Sequence, residues 1–383
     1  MTDASRDAAT GRETDTDDRE RTGERGDTDE GGDADERGDT DERGDPDESE
    51  QTVGTITVGT ASAEPGETTD GWLDVTGLPT GGVERLPVTV VNGASSGPTL
   101  WVTGGVHGDE ATGVAVAQDV AGLARDHVGE IAGAVVIVPV VSPAGLRRNE
   151  RTTYYGGDDP NRYFPDTVRE DERPPETQER IDTTLYEAFA DDADLLLDCH
   201  TAQVGSVPFV IRDRVLYGDA REEAAAREIA TDLERIVDAV GLPTLTEYPA
   251  EEYLGQSLQR STAGAATNTA GVPAVTLELG GHSVVEEDAR RAGVAGVFGV
   301  AVEFGLLSAL PAAVVEPGAT VPDAPVSFPV RRFVGPRAET AGLVRHAVQP
   351  GEAVEAGETV AEVVTPHGET LETVTSDHDG YVI

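Results

Sequence analysis

The chain has 383 residues with 73 acidic against 28 basic side chains, a formal net charge of -45. A surface of that sign repels nucleic acid and anionic membranes, which excludes both as partners. A single cysteine, Cys199, leaves no intramolecular disulfide framework and fits a reducing cytoplasm.

Every basic residue is Arg, and no Lys occurs. Residues 1–50 carry a net -14 and the rest of the chain -31, so the charge belongs to the body as well as to the N-terminal segment. So many unpaired carboxylates strain a compact state in dilute buffer, whereas in molar salt a Debye length of about 3 Å screens them. The composition reads as adaptation to high salt. No apolar stretch of about 18 residues is free of charges or Gly breaks, and the N-terminus lacks the basic-then-apolar order of a signal peptide. The expectation is a cytoplasmic protein, neither secreted nor membrane-spanning.

From Gly26 to Glu48 a six-residue Gly-Asp-x-Asp-Glu-x unit recurs four times. It holds no apolar side chain large enough to offset the entropy of ordering, which predicts disorder over residues 1–51. Over 52–312, apolar strand-like runs alternate with helical patterns, which predicts an α/β domain around a mostly parallel sheet. Strands are expected at 98–102, 134–141, 195–198 and 274–279, and helices at 111–126, 222–240 and 289–307. In such sheets ligands bind beyond the carboxyl ends of the strands. His107 and Glu110 follow the first of these strands, His200 closes the third, and Glu278 lies at the end of the fourth.

His107 and Glu110 stand three apart in a Gly-rich turn that opens a helix, close enough to share one metal. With His200 they make two imidazoles and a carboxylate, a set that leaves one position of a tetrahedral Zn²⁺ open for water or substrate. Glu278 is then available as the base, and the Gly280-Gly281 that follows it suggests backbone room beside a site. His282 reads as a bystander. Arg162 can either meet a ligand or pair with Asp158 or Asp159 in its own loop.

A Pro-rich linker is read over 313–326. Residues 327–383 then change to short β-rich runs broken by Gly, which predicts a small C-terminal all-β domain. Its Pro350-Gly351 to Gly357 segment resembles the turn of a lipoyl or biotinyl half-barrel, a pattern that breaks off at Tyr381, Val382 and Ile383. Those carriers hang their cofactor on a lysine, and this chain has none. A structural or access-limiting part remains for this unit.

The order Gly-x-His-Gly-x-Glu at 105–110, then Arg151 and Arg162 in a Gly/Asp-rich loop ending Asn161-Arg162-Tyr163-Phe164-Pro165, then Asp198-Cys199-His200, then Glu278-Leu279-Gly280-Gly281, resembles the succinylglutamate desuccinylase and aspartoacylase family. The likeness runs from about 98 to 307. It implies a zinc carboxypeptidase-like fold in which His107, Glu110 and His200 bind one Zn²⁺ per chain and Glu278 acts on the attacking water. It further implies that Asn161 and Arg162 bind the substrate carboxylate and that Arg151 polarises the scissile carbonyl. Three features depart from the family: Asp159-Pro160-Asn161-Arg162 replaces the more usual Asp-Leu-Asn-Arg, Ser142-Pro143 stands where Asn-Pro usually opens the loop, and Arg147 and Arg148 lie near enough to Arg151 to compete for its place. The expected activity is a zinc-dependent deacylase that removes an acyl group from a small N-acyl amino acid. The alternatives are a zinc carboxypeptidase acting on peptides and a non-catalytic, zinc-braced binding protein. Arg260 and Tyr253 are pocket candidates.

Overall fold

A computed structural model describes residues 54–166, 174–218, 221–315, 329–333 and 335–383. The segment expected to be disordered, 1–51, and residues 316–326 of the Pro-rich linker lie outside the described residues. Among the described residues no helix is long and apolar enough to cross a membrane.

A nine-stranded sheet organises the chain. In chain order its strands are β1 (Glu67–Gly77), β2 (Val83–Asn92), β3 (Ser95–Gly104), β4 (Ala132–Val138), β5 (Leu195–Ala202), β6 (Phe209–Arg212), β7 (Thr244–Thr246), β8 (Ala274–Gly281) and β9 (Val330–Arg331). They lie side by side as β9-β7-β6-β8-β5-β3-β4-β2-β1. The central strands β8, β5, β3 and β4 are mutually parallel. β6 meets β8 antiparallel, β9 and β7 run parallel to β6, and the β1–β2 hairpin closes the far side antiparallel to β4.

Helices cover both faces, which is why β4 and β5 are buried along nearly their whole length. The pleat divides each strand between two cores. Leu100, Val102, Leu197, Cys199 and Leu277 face α1 (Ala111–Asp126), α3 (Glu223–Val240) and α4 (Glu287–Glu303). Trp101, Val136, Leu196 and Ala274 face α2 (Thr177–Asp192) and the turn at Ala263, Ala265 and Ala266. The expected central strands and helices lie where the sequence places them, within a few residues at their ends.

The β1–β2 hairpin and α2 were not expected. β1 is half-exposed and polar on one side, so no apolar run marks it. α2 buries a stripe of Ile181, Leu185 and Phe189, four residues apart, in an otherwise acidic and polar run.

Beyond α4, strands Leu343–His346, Thr359–Val364 and Thr370–Thr375 form a small antiparallel sheet over Ala361, Val363 and Val374. Ala353–Val354 pairs with Gly380–Tyr381. β9 precedes this unit and joins the central sheet, with Val330 beside Leu245 and Arg331 beside Thr246. Val330 and Ile383 then pack against Phe209, Ile211 and Leu245.

Candidate metal centre and active site

Register between parallel strands brings the motif residues together. Thr103 lies beside Asp198 on the neighbouring strand, and His200 lies beside Glu278. After β3 the backbone turns at Gly105, whose φ of +60° suits glycine. Gly108 then lies so close to Gly145 that a Cβ would fall 1.9 Å from its carbonyl carbon. This tight path sets His107 and Glu110 just before α1.

His107 Nδ1 lies 2.6 Å from Glu110 Oε1, and His200 Nδ1 lies 2.8 Å from Glu110 Oε2. The two Nδ1 atoms are 3.3 Å apart, and all three side chains are buried. The outer ring nitrogens are tethered: His107 Nε2 lies 2.9 Å from Asp159 Oδ1 and His200 Nε2 lies 2.7 Å from Asp198 Oδ2. Thr103 Oγ1 in turn donates to Asp198 Oδ1 at 2.6 Å. A carboxylate on one ring nitrogen holds the proton there and turns the other lone pair inward. Two inward lone pairs and a carboxylate, each offering an atom within 4.8 Å of the others, are a donor set that suits Zn²⁺.

The local field favours positive charge. Burial works against the charged imidazoles, yet Glu110 and Asp159 raise the pKa of His107, and Asp198 and Glu110 raise that of His200 well above its usual value. Burial likewise opposes an ionised Glu110, but the two histidines bring it down to about 2. Asp159 is held well below the carboxylate range, against its burial, by His107, Arg162 and Arg151.

Glu278 lies half-buried beside this group, with its Oε2 enclosed and without a hydrogen-bond partner. Burial and the charge of Glu110 push its pKa up, against the pull of His200, Arg332 and His107. Of the three neighbouring arginines, Arg151 faces the centre: its Nη1 is 3.3 Å from Glu110 Oε1 and its Nη2 donates to Asp159 Oδ2 at 3.0 Å. Arg147 turns to the buried Glu84 at 3.4 Å and Arg148 to Glu150 at 3.0 Å. The Asn161 amide is fixed, its Oδ1 accepting from Thr262 N at 2.8 Å, and its Nδ2 lies 3.5 Å from His200 Nε2. Arg162 lies 3.9 Å from Asp159, the in-loop pairing weighed from the sequence, and donates to Asn161 O at 2.6 Å.

Two expectations need correction. The space beside Gly280 and Gly281 is filled, because the Glu286 carboxylate lies there and accepts from Gly281 N at 2.8 Å. Tyr253 is buried with its hydroxyl on Asp213, so it is committed within the protein, while Arg260 Nε donates to Phe164 O at 3.2 Å. Asp198 and Arg332 were given no role from the sequence, and Asp159 only that of an in-loop partner for Arg162. Asp198 was readable, because a spacing of two along a strand sets it on the same face as His200. Arg332 carried no such signal.

Residues 96–303 match the succinylglutamate desuccinylase/aspartoacylase catalytic domain. The chain is 26% identical over 291 residues to N-alpha-acetyl-L-2,4-diaminobutyric acid deacetylase of Halomonas elongata, covering 74% of this chain and 75% of that protein. Among solved structures it resembles a succinylglutamate desuccinylase/aspartoacylase from Rhodobacter sphaeroides, with a TM-score of 0.62, 22% identity and coverage of 82% and 89% of the two chains. It also resembles the product-bound ectoine utilization protein EutE (DoeB) from Ruegeria pomeroyi, with a TM-score of 0.64, 20% identity and coverage of 87% and 94%. With the motif residues gathered at the strand ends and more than half of the chain matched by the catalytic-domain family, this chain belongs to the succinylglutamate desuccinylase/aspartoacylase family.

Proposed function

We propose that the protein is a zinc-dependent deacylase of small N-acyl amino acids, with an N-acetylated diamino acid as the first substrate to try. The observation that carries this reading is the convergence of His107, Glu110 and His200 with both outer ring nitrogens tethered to carboxylates. The relative from Halomonas elongata supports the choice of substrate.

When bound by these three residues, zinc supplies Lewis acidity and makes hydroxide available near neutral pH. The Oε2 of Glu278 takes the proton of the attacking water and returns it to the leaving amine, a task helped by a pKa raised above the ordinary carboxylate value. Arg151 places a guanidinium where charge develops on the scissile carbonyl oxygen. Arg162, with Asn161 fixed beside it, receives the substrate carboxylate. This reading keeps 52–312 as the catalytic part, to whose sheet β9 is added, and the rest of 327–383 as an all-β unit joined by 313–326. It places the protein in the cytoplasm, at high salt.

The test is turnover in molar KCl. Release of acetate from N-acetyl-2,4-diaminobutyrate is expected, lost on chelation and restored by zinc, with a dipeptide left intact. Hydrolysis that survives complete removal of metal, or that prefers the dipeptide, overturns the proposal.

A further inference from the structure

Glu84 reaches the arginine loop from outside the matched catalytic segment. It is the second residue of β2, and the pleat sets it in one row with Leu86, Val88 and Val90, which are core. A fully buried carboxylate in such a row is costly unless donors meet it. Two do, and both come from the connection between β4 and α2. The Tyr155 hydroxyl donates to Glu84 Oε2 at 2.5 Å, and Arg147 Nη1 lies 3.4 Å from the same oxygen. Burial and the bond to Glu84 raise the pKa of Tyr155, so its hydroxyl keeps the proton it donates. The Tyr155 ring packs against the same core as Leu86 and Val88. Arg147 is half-exposed, which makes Tyr155 the stronger of the two ties.

Arg151 stands four residues after Arg147 and four before Tyr155. Ahead of it the chain folds back, with Asn149 at a φ of +51° and Glu150 N donating to Gly145 O at 3.2 Å. Gly145 is the residue against which Gly108 packs beside His107. The loop is thus pinned to the metal-binding turn before Arg151 and to β2 after it. The Arg151 side chain is 49% exposed, and its guanidinium meets Glu110 at 3.3 Å and Asp159 at 3.0 Å. A long, half-exposed side chain reaches a fixed point only where its backbone is held, and small displacements of a group that meets developing charge cost rate steeply. We infer that Glu84 is a positioning residue of the site, holding through Tyr155 the backbone that carries Arg151 and drawing the rival Arg147 away. This rests on the deacylase reading, in which Arg151 meets the scissile carbonyl oxygen.

Wild type, Tyr155→Phe, Glu84→Gln, Arg151→Ala and the double variant Tyr155→Phe/Arg151→Ala are compared as zinc-loaded full chains in molar KCl on N-acetyl-2,4-diaminobutyrate. Tyr155→Phe is expected to lower kcat about ten- to a hundred-fold, with KM within about two-fold of wild type and one zinc per chain retained. Glu84→Gln keeps an acceptor for the Tyr155 hydroxyl and should lose less. In the Arg151→Ala background, Tyr155→Phe should change kcat by less than about two-fold, because the group it positions is gone. The same loss in both backgrounds, or no loss in either, overturns the inference. Hydrogen exchange without substrate reads the tie independently of turnover: amides of 147–157 should exchange faster in Tyr155→Phe while those of 107–114 keep the wild-type rate. Unchanged exchange over 147–157 refutes the tie. A wild type that does not turn over the substrate sinks the deacylase reading, and the exchange result then decides whether Glu84 holds this loop.

Discussion

At the histidine end of the site, His200 and Asp198 share one strand face, Glu278 sits in register on the next strand, and both imidazoles are tethered at their outer nitrogens. At the arginine end, Arg151 and Arg162 ride in the long connection between β4 and α2. The first end is set by pleat and register for His200 and Glu278 and by the tight Gly turn before α1 for His107 and Glu110. The second is set by ion pairs to Asp159 on partly exposed side chains. A metal needs fixed ligands, whereas substrate-binding groups gain from being able to follow what they bind.

The largest expected effect separates the chemistry from the frame that holds it. Glu278→Gln removes the proton carrier and keeps the shape of the strand end, so kcat should fall by about 10²–10⁴ while one zinc per chain is retained. Elemental analysis beside a rate assay checks both halves, and a variant that keeps its rate removes Glu278 from the mechanism.

The same contrast explains what was legible in the sequence. A Gly-rich turn after one strand, a His closing another and a Gly-Gly pair at the end of a third are local signals, and in that order they pointed to His107, Glu110, His200 and Glu278. The apolar runs of β3, β4, β5 and β8 gave the sheet for the same reason. The return of β9 to β7 stayed hidden because it joins residues some 85 apart in the chain. Tyr253 misled in the opposite sense, since nothing local says that Asp213 lies behind it to take its hydroxyl. Which of Arg147, Arg148 and Arg151 turns inward was likewise decided by a distant residue, the buried Glu84 that draws Arg147 away.

Asp198→Asn asks whether the strand alone holds His200. If pleat and register suffice, the variant binds zinc as tightly as wild type. If the tether matters, the amide removes the charge that fixes the ring proton, and zinc affinity should drop about 10–100-fold in competition with a chelator. We expect the drop, because His200 Nε2 and Thr103 both bond to this one carboxylate.

The smallest effect probes the support behind Arg332. Asp213 is buried, its Oδ1 accepting from the Tyr253 hydroxyl and from Arg214 N, and burial together with Glu247 pushes its carboxyl up to about 7. The folded protein then keeps a proton that the unfolded chain gives up near pH 4, so the stability linked to this group falls as pH rises from about 4 to 7. The slope is at most about 1.4 kcal/mol per pH unit. Asp213→Asn is neutral throughout, so its melting temperature in molar KCl should gain on wild type between pH 5 and pH 8. A constant offset between the two would mean that Asp213 is already ionised at pH 5, and that Arg332 rests on two carboxylate charges. With Asp213 neutral, Glu247 is the charged partner of Arg332, and one negative charge balances one positive.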